Sequence, residues 1–359
     1  MPASLGTLLQ TARKRHITPC NRFYAFKLHT VIYTLSCGQH TYDEDAPRLR
    51  HDDLFDLASL TKVIATTSLA MLLHQQKRLS LDDTIDTWLP ERKALSQPQP
   101  TIRQLLAHCA GFPAGLPFHR THADTPPGDA RKAVVIATPT VCAPGTQTTY
   151  SDIGFMLLGF ILERIADAPL DQLAKTLLFK PLKMRRTLFC PPTDWQPHCV
   201  PTELDDSLDP PQPWQGTVHD ENARWLGGVA GHAGLFSTAH DLSKLAKALL
   251  EPAKGPFDPN VIQLFTQRAG LLPDSDRCLG WQAPFRPFPD YPPQTRRLPS
   301  YMFGHTGFTG TSFWIAPEPQ CAVILLTNAV HPHRADKERY FPWRTAVQSQ
   351  AMRALLRYS

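Results

Sequence analysis

The chain has 359 residues, of which 42% are hydrophobic and 19% charged, with a net charge of +5 and 35 prolines. That length exceeds the roughly 250–300 residues that one core fills, so two packed units are expected, and the apolar content excludes a disordered chain. The charge is mild, with no Lys/Arg run long enough for a nucleic-acid tract, and the 8 cysteines form no Cys-x-x-Cys, which excludes the short zinc and redox motifs.

Residues 23–35, rich in aromatic and β-branched types, predict one or two strands ahead of Cys37-Gly38. From Ser59 to about Gln76 the apolar spacing predicts a buried helix, after which Ser80, Asp82 or Asp83 can cap the next segment. Thr101 to Ala107 reads as a short helix stopped by Gly111-Phe112-Pro113, followed by a loop rich in His, Pro and Gly. Asp152 to Ala166 is helical, with Asp152 a candidate cap. Residues 190–214 read as a long surface excursion, and such loops are often functional or mobile. Asp241 to Leu250 is a helix that Ser237 or Thr238 can cap, and 284–299 form a second proline-rich loop. Residues 312–317 and 321–330 read as a hairpin through Glu318-Pro319-Gln320, and 343–357 as a final helix.

Strands sit at both ends of the chain with helices between. The expected architecture is α+β: an antiparallel sheet flanked by helices and interrupted by a mainly helical insert. The expected division is residues 1–80 and 275–359 for the sheet domain and 81–274 for the insert, with a site in the cleft between them.

The longest strongly apolar stretch, 153–162, is too short to span a bilayer. No apolar export segment opens the chain, which points to the cytoplasm as the sequence stands, with the periplasm as the alternative if the N-terminus is incomplete. Most cysteines read as reduced thiols in or near the core. Arg13-Lys14-Arg15 reads as a solvated helix end and His331-Pro332-His333 as a turn rather than a metal site.

Three short motifs carry chemistry. Ser59-Leu60-Thr61-Lys62 places a hydroxyl and an amine one helical turn apart, so Lys62 can approach Ser59 and activate it. A helix N-terminus at Ser59 also supplies backbone N–H groups for an oxyanion. Tyr150-Ser151-Asp152, after the Pro144-Gly145 turn, offers a phenol that can shuttle a proton if cations lie near it. His305-Thr306-Gly307-Phe308-Thr309-Gly310 precedes a strand, and its glycines let a substrate backbone approach that edge, with the Phe308 N–H as a second oxyanion donor. Taken alone, each motif is weak; together and in this order they are specific.

That order resembles the Ser-x-x-Lys, Tyr-x-Asn and Lys-Thr-Gly set of penicillin-binding proteins and class C-like beta-lactamases. FDLASLTKV, TIRQLLAHCAGFP, PGTQTTYSDIGFMLLG and GHTGFTGTSFWIAPE extend the resemblance over roughly residues 20–335. It implies a serine hydrolase acting on a small-molecule or peptide substrate, with no metal or organic cofactor. Ser59 resembles the acylated serine, Lys62 and Tyr150 its proton-handling partners, and Asp152, His305, Thr306, Gly307 and Phe308 the substrate-binding positions. The bond cleaved would be an ester or an amide, with a D-amino-acid peptide as one candidate. A true beta-lactamase and a catalytically idle peptide-binding relative are the alternatives. Oligomeric state is left open.

Two departures bear on substrate. Asp152 replaces the usual asparagine and His305 the usual lysine, and both weaken the case for efficient beta-lactam hydrolysis. If the substrate is anionic, His305 would have to be protonated to bind it, so activity should depend on pH between 5.5 and 8. Cys109 and Ala110 depart from the family's usual residues, with packing consequences only. His219, Asp220 and His232 are read either as lining the cleft mouth or as a hydrogen-bonded scaffold.

Overall fold

The computed structural model describes residues 4–283 and 301–357; the proline-rich loop expected at 284–299 lies outside them. In chain order it opens with α1 (Leu5–Thr11), β1 (Cys20–Lys27), β2 (Thr30–Gly38) and β3 (Phe55–Asp56). A π-helical stretch, Lys62–Thr67, then runs into α2 (Ser68–Gln75). There follow α3 (Ile102–Leu106), α4 (Phe118–Thr121), α5 (Asp129–Ile136), α6 (Asp152–Ala166) and α7 (Leu170–Ala174). Next come β4 (Leu188–Phe189), β5 (Leu204–Asp205), β6 (Gln212–Pro213), α8 (Glu221–Trp225), β7 (Leu235–Ser237), α9 (Ala239–Leu250) and α10 (Pro259–Thr266). The chain closes with β8 (Phe303–Thr306), β9 (Ser312–Ala316), β10 (Cys321–Thr327) and α11 (Tyr340–Arg357).

Both ends of the chain build one antiparallel sheet in the order β2-β1-β10-β9-β8. Its central strands are apolar on both faces, as a sheet covered on both sides must be. Alternation divides them. Phe23, Ala25, Val323, Leu325 and Trp314 face a core shared with α1 and α11, while Tyr24, Phe26, Ile324, Leu326 and Phe313 face the larger core that continues into the helices. A slip of one residue would exchange these sets, so the β1/β10 pairing, Phe23 opposite Leu325, is fixed by burial. The helix α9, from within the 81–274 stretch, packs on β1 and β10.

The helix α6 is buried from Ile153 through Leu162, so it runs through the core instead of lying on the surface. It crosses the 231 segment so closely that a Cβ on Gly231 would collide with the Phe155 carbonyl oxygen. Its cap is Ser151, whose Oγ accepts from the Gly154 N–H at 3.3 Å. Asp152 is therefore not the cap, and its Oδ1 lies 2.7 Å from Lys62 Nζ. Thr101 and Gln104 form a reciprocal capping box on α3, and Thr238 caps α9.

The stretch after Gly111 is not all loop: it contains α4 and α5. The 190–214 excursion holds a 3-10 turn, Thr193–His198, and the β5/β6 ribbon. The expected helix after Ser59 is present, but its first full turn is π-helical. Ser68 Oγ bonds the Val63 carbonyl at 2.9 Å, drawing that acceptor off the regular ladder, and Thr66 Oγ1 bonds the Gly231 carbonyl in a neighbouring segment. All 8 cysteines are free thiols; five are buried and Cys190 is exposed. No helix among the described residues is long and apolar enough to cross a membrane.

Candidate active site

Ser59 follows Ala58, which adopts a left-handed backbone (φ 46°). For a residue with a Cβ this conformation is costly and persists only where neighbours impose it. Asp56 does so: its Oδ1 accepts from the Ala58 N–H at 2.7 Å, and its Oδ2 from the His219 N–H at 2.6 Å. The turn sets Ser59 directly before the helix, at its N-terminal end.

One turn on, Lys62 is completely buried, and its Nζ meets Ser59, His232 and Asp152, with Tyr150 as a further hydrogen-bond partner. It donates to Ser59 Oγ at 3.0 Å and to the His232 carbonyl at 3.1 Å, and lies 2.7 Å from Asp152 Oδ1. Burial works to lower the lysine pKa, but the Asp152 carboxylate and the adjacent Tyr150 outweigh it and the net shift is upward. Lys62 is thus held as an ammonium, a donor to Ser59 and not an acceptor of its proton.

Tyr150 stands beside two cations. Lys62 Nζ lies 5.0 Å from its ring centroid and the Arg277 guanidinium 5.2 Å. Two imidazoles pack against the same ring, His108 at 4.5 Å and His305 at 5.7 Å. His108 Nδ1 accepts from the Ser151 N–H at 3.1 Å, which fixes the peptide next to Tyr150. Burial first, then the charges of Arg277 and Lys62, push the His108 pKa well below the ordinary value, so it serves as a neutral acceptor.

The 305–310 segment packs directly on the turn that precedes Ser59. A Cβ on Gly307 would collide with the Leu57 carbonyl oxygen, so only glycine fits. Thr309 Oγ1 bonds the Asp56 carbonyl at 2.8 Å and Thr311 Oγ1 the Leu57 carbonyl at 3.0 Å. The segments bearing the Ser59 and Phe308 N–H groups are thereby tied together. Both residues line one cavity of about 300 Å³, with Tyr150, His305, Thr306, Gly307, Arg277, Gln282, Tyr340, Phe341 and Arg344.

His305 does not carry the charge that an anionic substrate would require of it. It is 4% exposed, and its pKa is pushed down to about 3 by burial and by the Arg277 and Lys62 charges. Its Nδ1 lies 2.8 Å from the Thr306 carbonyl, so in the neutral ring the single proton sits on Nδ1 and Nε2 presents a lone pair. The expected protonation of His305 between pH 5.5 and 8 is corrected accordingly: a desolvated imidazole between two cations stays neutral there. Positive charge in the cavity comes from Arg277 and Arg344 instead. Hydrolysis of an anionic ester should show no histidine step near pH 6.5, and kcat/KM of His305→Asn should have the same pH profile as the parent. A step present in the parent and absent from the variant would restore the charged role.

The structure brings Ser59, Lys62, Tyr150 and Asp152 together and sets His305, Thr306, Gly307 and Phe308 along the same cavity, with the His305 ring against Tyr150. His219, Asp220 and His232 are scaffold: His232 is 2.9 Å from Asp220, His219 is 2.9 Å from Glu203, and none of the three lines the cavity. Sequence reasoning missed Arg277, Arg344, Phe341 and His108. The first three belong to no motif, although the loss of lysine at position 305 signals that a cation must come from elsewhere. His108 adjoins Cys109, in a segment whose residue types suggest packing alone. Among the described residues no cluster of His, Cys, Asp or Glu could hold a metal ion.

A family model described as Beta-lactamase matches residues 29–347. A relative from Salmonella agona (strain SL483), named "Putative D-alanyl-D-alanine carboxypeptidase", is 32% identical over 306 residues, covering 77% of this chain and 70% of its own. A relative of the same name from Salmonella newport (strain SL254) is 32% identical over 312 residues, covering 79% and 71%. Among solved structures, "EstCE1, a hydrolase with promiscuous acyltransferase activity" has a TM-score of 0.75 at 21% identity, covering 98% of this chain and 97% of its own. The octameric penicillin-binding protein homologue from Pyrococcus abyssi has a TM-score of 0.71 at 18% identity, covering 94% and 75%. At these identities the two structures establish the fold.

Proposed function

The chain belongs to the Beta-lactamase family of serine hydrolases, and from that premise we propose that it cleaves an ester or amide next to a carboxylate through an acyl-enzyme on Ser59. The observation that carries this reading is the meeting of Ser59, Lys62 and Tyr150 at a cavity that Arg277 and Arg344 make positive. Ser59 Oγ adds to the substrate carbonyl carbon as its proton passes to the Tyr150 oxygen, and Tyr150 gives its own hydroxyl proton to the leaving amine or alcohol as the bond to carbon breaks. Lys62 lies beside that ring, and the Ser59 and Phe308 N–H groups take the charge on the carbonyl oxygen. Water then enters and adds to the acyl carbon, its proton passing to the Tyr150 oxygen as Tyr150 gives its own to Ser59. Ser59 departs with that proton, and the acid is released.

Arg277 supports the carboxylate. A guanidinium at the cavity edge is suited to a planar anion, and the relatives' name describes a substrate ending in a free D-alanine carboxylate. Asp152, where an amide donor would meet an acyl-side carbonyl, weakens the case for efficient beta-lactam hydrolysis and meets the acyl-side carbonyl of a peptide in the same way, so the carboxylate reading rests on Arg277 and Arg344. We also propose the division of the chain into a sheet unit, 1–80 and 275–359, and an insert, 81–274, with α9 packed on the sheet.

Turnover of a D-alanyl-D-alanine peptide and of a neutral nitrophenyl ester tests the reading. Arg277→Leu is expected to lower kcat/KM for the peptide by about 30-fold, the worth of one charge-assisted hydrogen bond, and for the neutral ester by less than about 3-fold. Equal losses on both substrates would remove the carboxylate from the proposal. No turnover of either by the parent protein would remove the hydrolase.

A further inference from the structure

Phe308 supplies one of the two proposed oxyanion donors, yet the residue is 52% exposed and lies outside the core. The loop around it is pinned elsewhere: Gly307 N–H bonds the Thr311 carbonyl at 2.8 Å and Gly310 N–H the Gly307 carbonyl at 3.1 Å. Glycine precedes Phe308, so the peptide bearing the Phe308 N–H is flanked on one side by the residue with the most backbone freedom. The Phe308 side chain is a further handle on its orientation, beside the ties of Thr309 and Thr311 to the turn before Ser59.

That ring is held by side chains far from it in sequence. The His219 ring stacks with it at 5.7 Å and 24°, and the Arg334 guanidinium lies 5.8 Å from its centroid. One carboxylate organises both. Glu203 Oε2 is 2.9 Å from His219 Nε2 and 2.7 Å from Arg334 Nε, and Glu203 Oε1 accepts the Arg334 backbone N–H at 2.8 Å. Glu221 takes a second Arg334 nitrogen at 2.7 Å, and the His219 backbone is fixed to Asp56, the residue that also sets the turn before Ser59. Glu203, His219 and Arg334 lie outside the cavity lining. The cluster therefore links the turn before the nucleophile to the ring of the second oxyanion donor.

We propose that Arg334, Glu203 and His219 are positioning residues that grip the Phe308 ring and through it aim the Phe308 N–H at the carbonyl oxygen. The inference rests on the hydrolase reading above and adds to it a group acting at a distance from the reacting atoms. A donor displaced by a fraction of an ångström loses most of its effect in the transition state while ground-state binding barely changes.

A double-mutant cycle tests it with the full chain and a nitrophenyl ester. Arg334→Met is expected to lower kcat by about 10-fold with KM within about 2-fold, because aim and not contact is lost. Phe308→Ala removes the ring and should give a similar loss. In the Phe308→Ala background Arg334→Met should then cost nothing more. Additive losses, or a rise in KM at constant kcat, would overturn the proposal. Should Arg334→Met fail to fold, Glu221→Gln loosens the same guanidinium from its more exposed side, and a kcat loss that vanishes with Phe308→Ala is again expected. A parent protein that acquires no acyl group on Ser59 would count against the hydrolase reading; an acylated parent with additive variants would count against the grip alone.

Discussion

Replacing Ser59 by alanine is expected to lower nitrophenyl ester hydrolysis by about 10⁴-fold or more, to the level supported by the oxyanion donors and binding alone. The size follows from the role proposed: without Oγ there is no covalent intermediate, and water would have to attack the ester directly. The fold should survive. Lys62 keeps the His232 carbonyl and Asp152 when it loses Ser59 Oγ, so the loss of stability is on the order of 1 kcal/mol. Mass spectrometry after fluorophosphonate treatment should find one adduct on Ser59 in the parent and none in the variant. A Ser59→Ala protein that hydrolyses the ester at the parental rate, or that still takes up the label, would place the nucleophile elsewhere.

How far the sequence leads depends on the range of the interaction. The strands 312–316 and 321–327 and the helix 152–166 are visible because alternation and apolar density are local signals, and they come out within a few residues. The Ser59–Lys62 contact is also local, one helical turn. The bond from Thr66 Oγ1 to the Gly231 carbonyl, a neighbour 165 residues away, is not. Whether His305 is charged is likewise decided by Arg277 and by burial, neither visible in a six-residue motif. Asp152 is the instructive case. Its place at a helix start suggests a cap, yet the adjacent Ser151 takes that task and leaves the carboxylate to Lys62.

The same carboxylate gives the second large effect. Asp152→Asn is expected to raise the rate of acylation by a penicillin by about 100-fold, from two changes that act in the same direction. An amide donor replaces a carboxylate where the acyl-side carbonyl would lie, which exchanges repulsion for a hydrogen bond worth about 1.5–3 kcal/mol. Lys62 also loses its nearest counter-charge. Burial pulls its pKa down and Asp152 holds it up, so without Asp152 the pKa falls, a larger fraction is neutral at a given pH, and the amine becomes able to accept the Ser59 proton. The sign of the pH effect follows. Acylation of the variant should rise with pH through the lowered lysine pKa, a limb the parent does not show at neutral pH. Stability should move the opposite way. The raised Lys62 pKa in the parent contributes stability below the lysine's unfolded value that is lost only as pH rises through the folded one, so the variant should melt earlier at pH 7. Time-resolved labelling with a fluorescent penicillin measures the acylation rates. An unchanged penicillin rate with an unchanged pH profile would mean that Asp152 controls neither the lysine charge nor the substrate class, and selection against beta-lactams would then have to arise at His305.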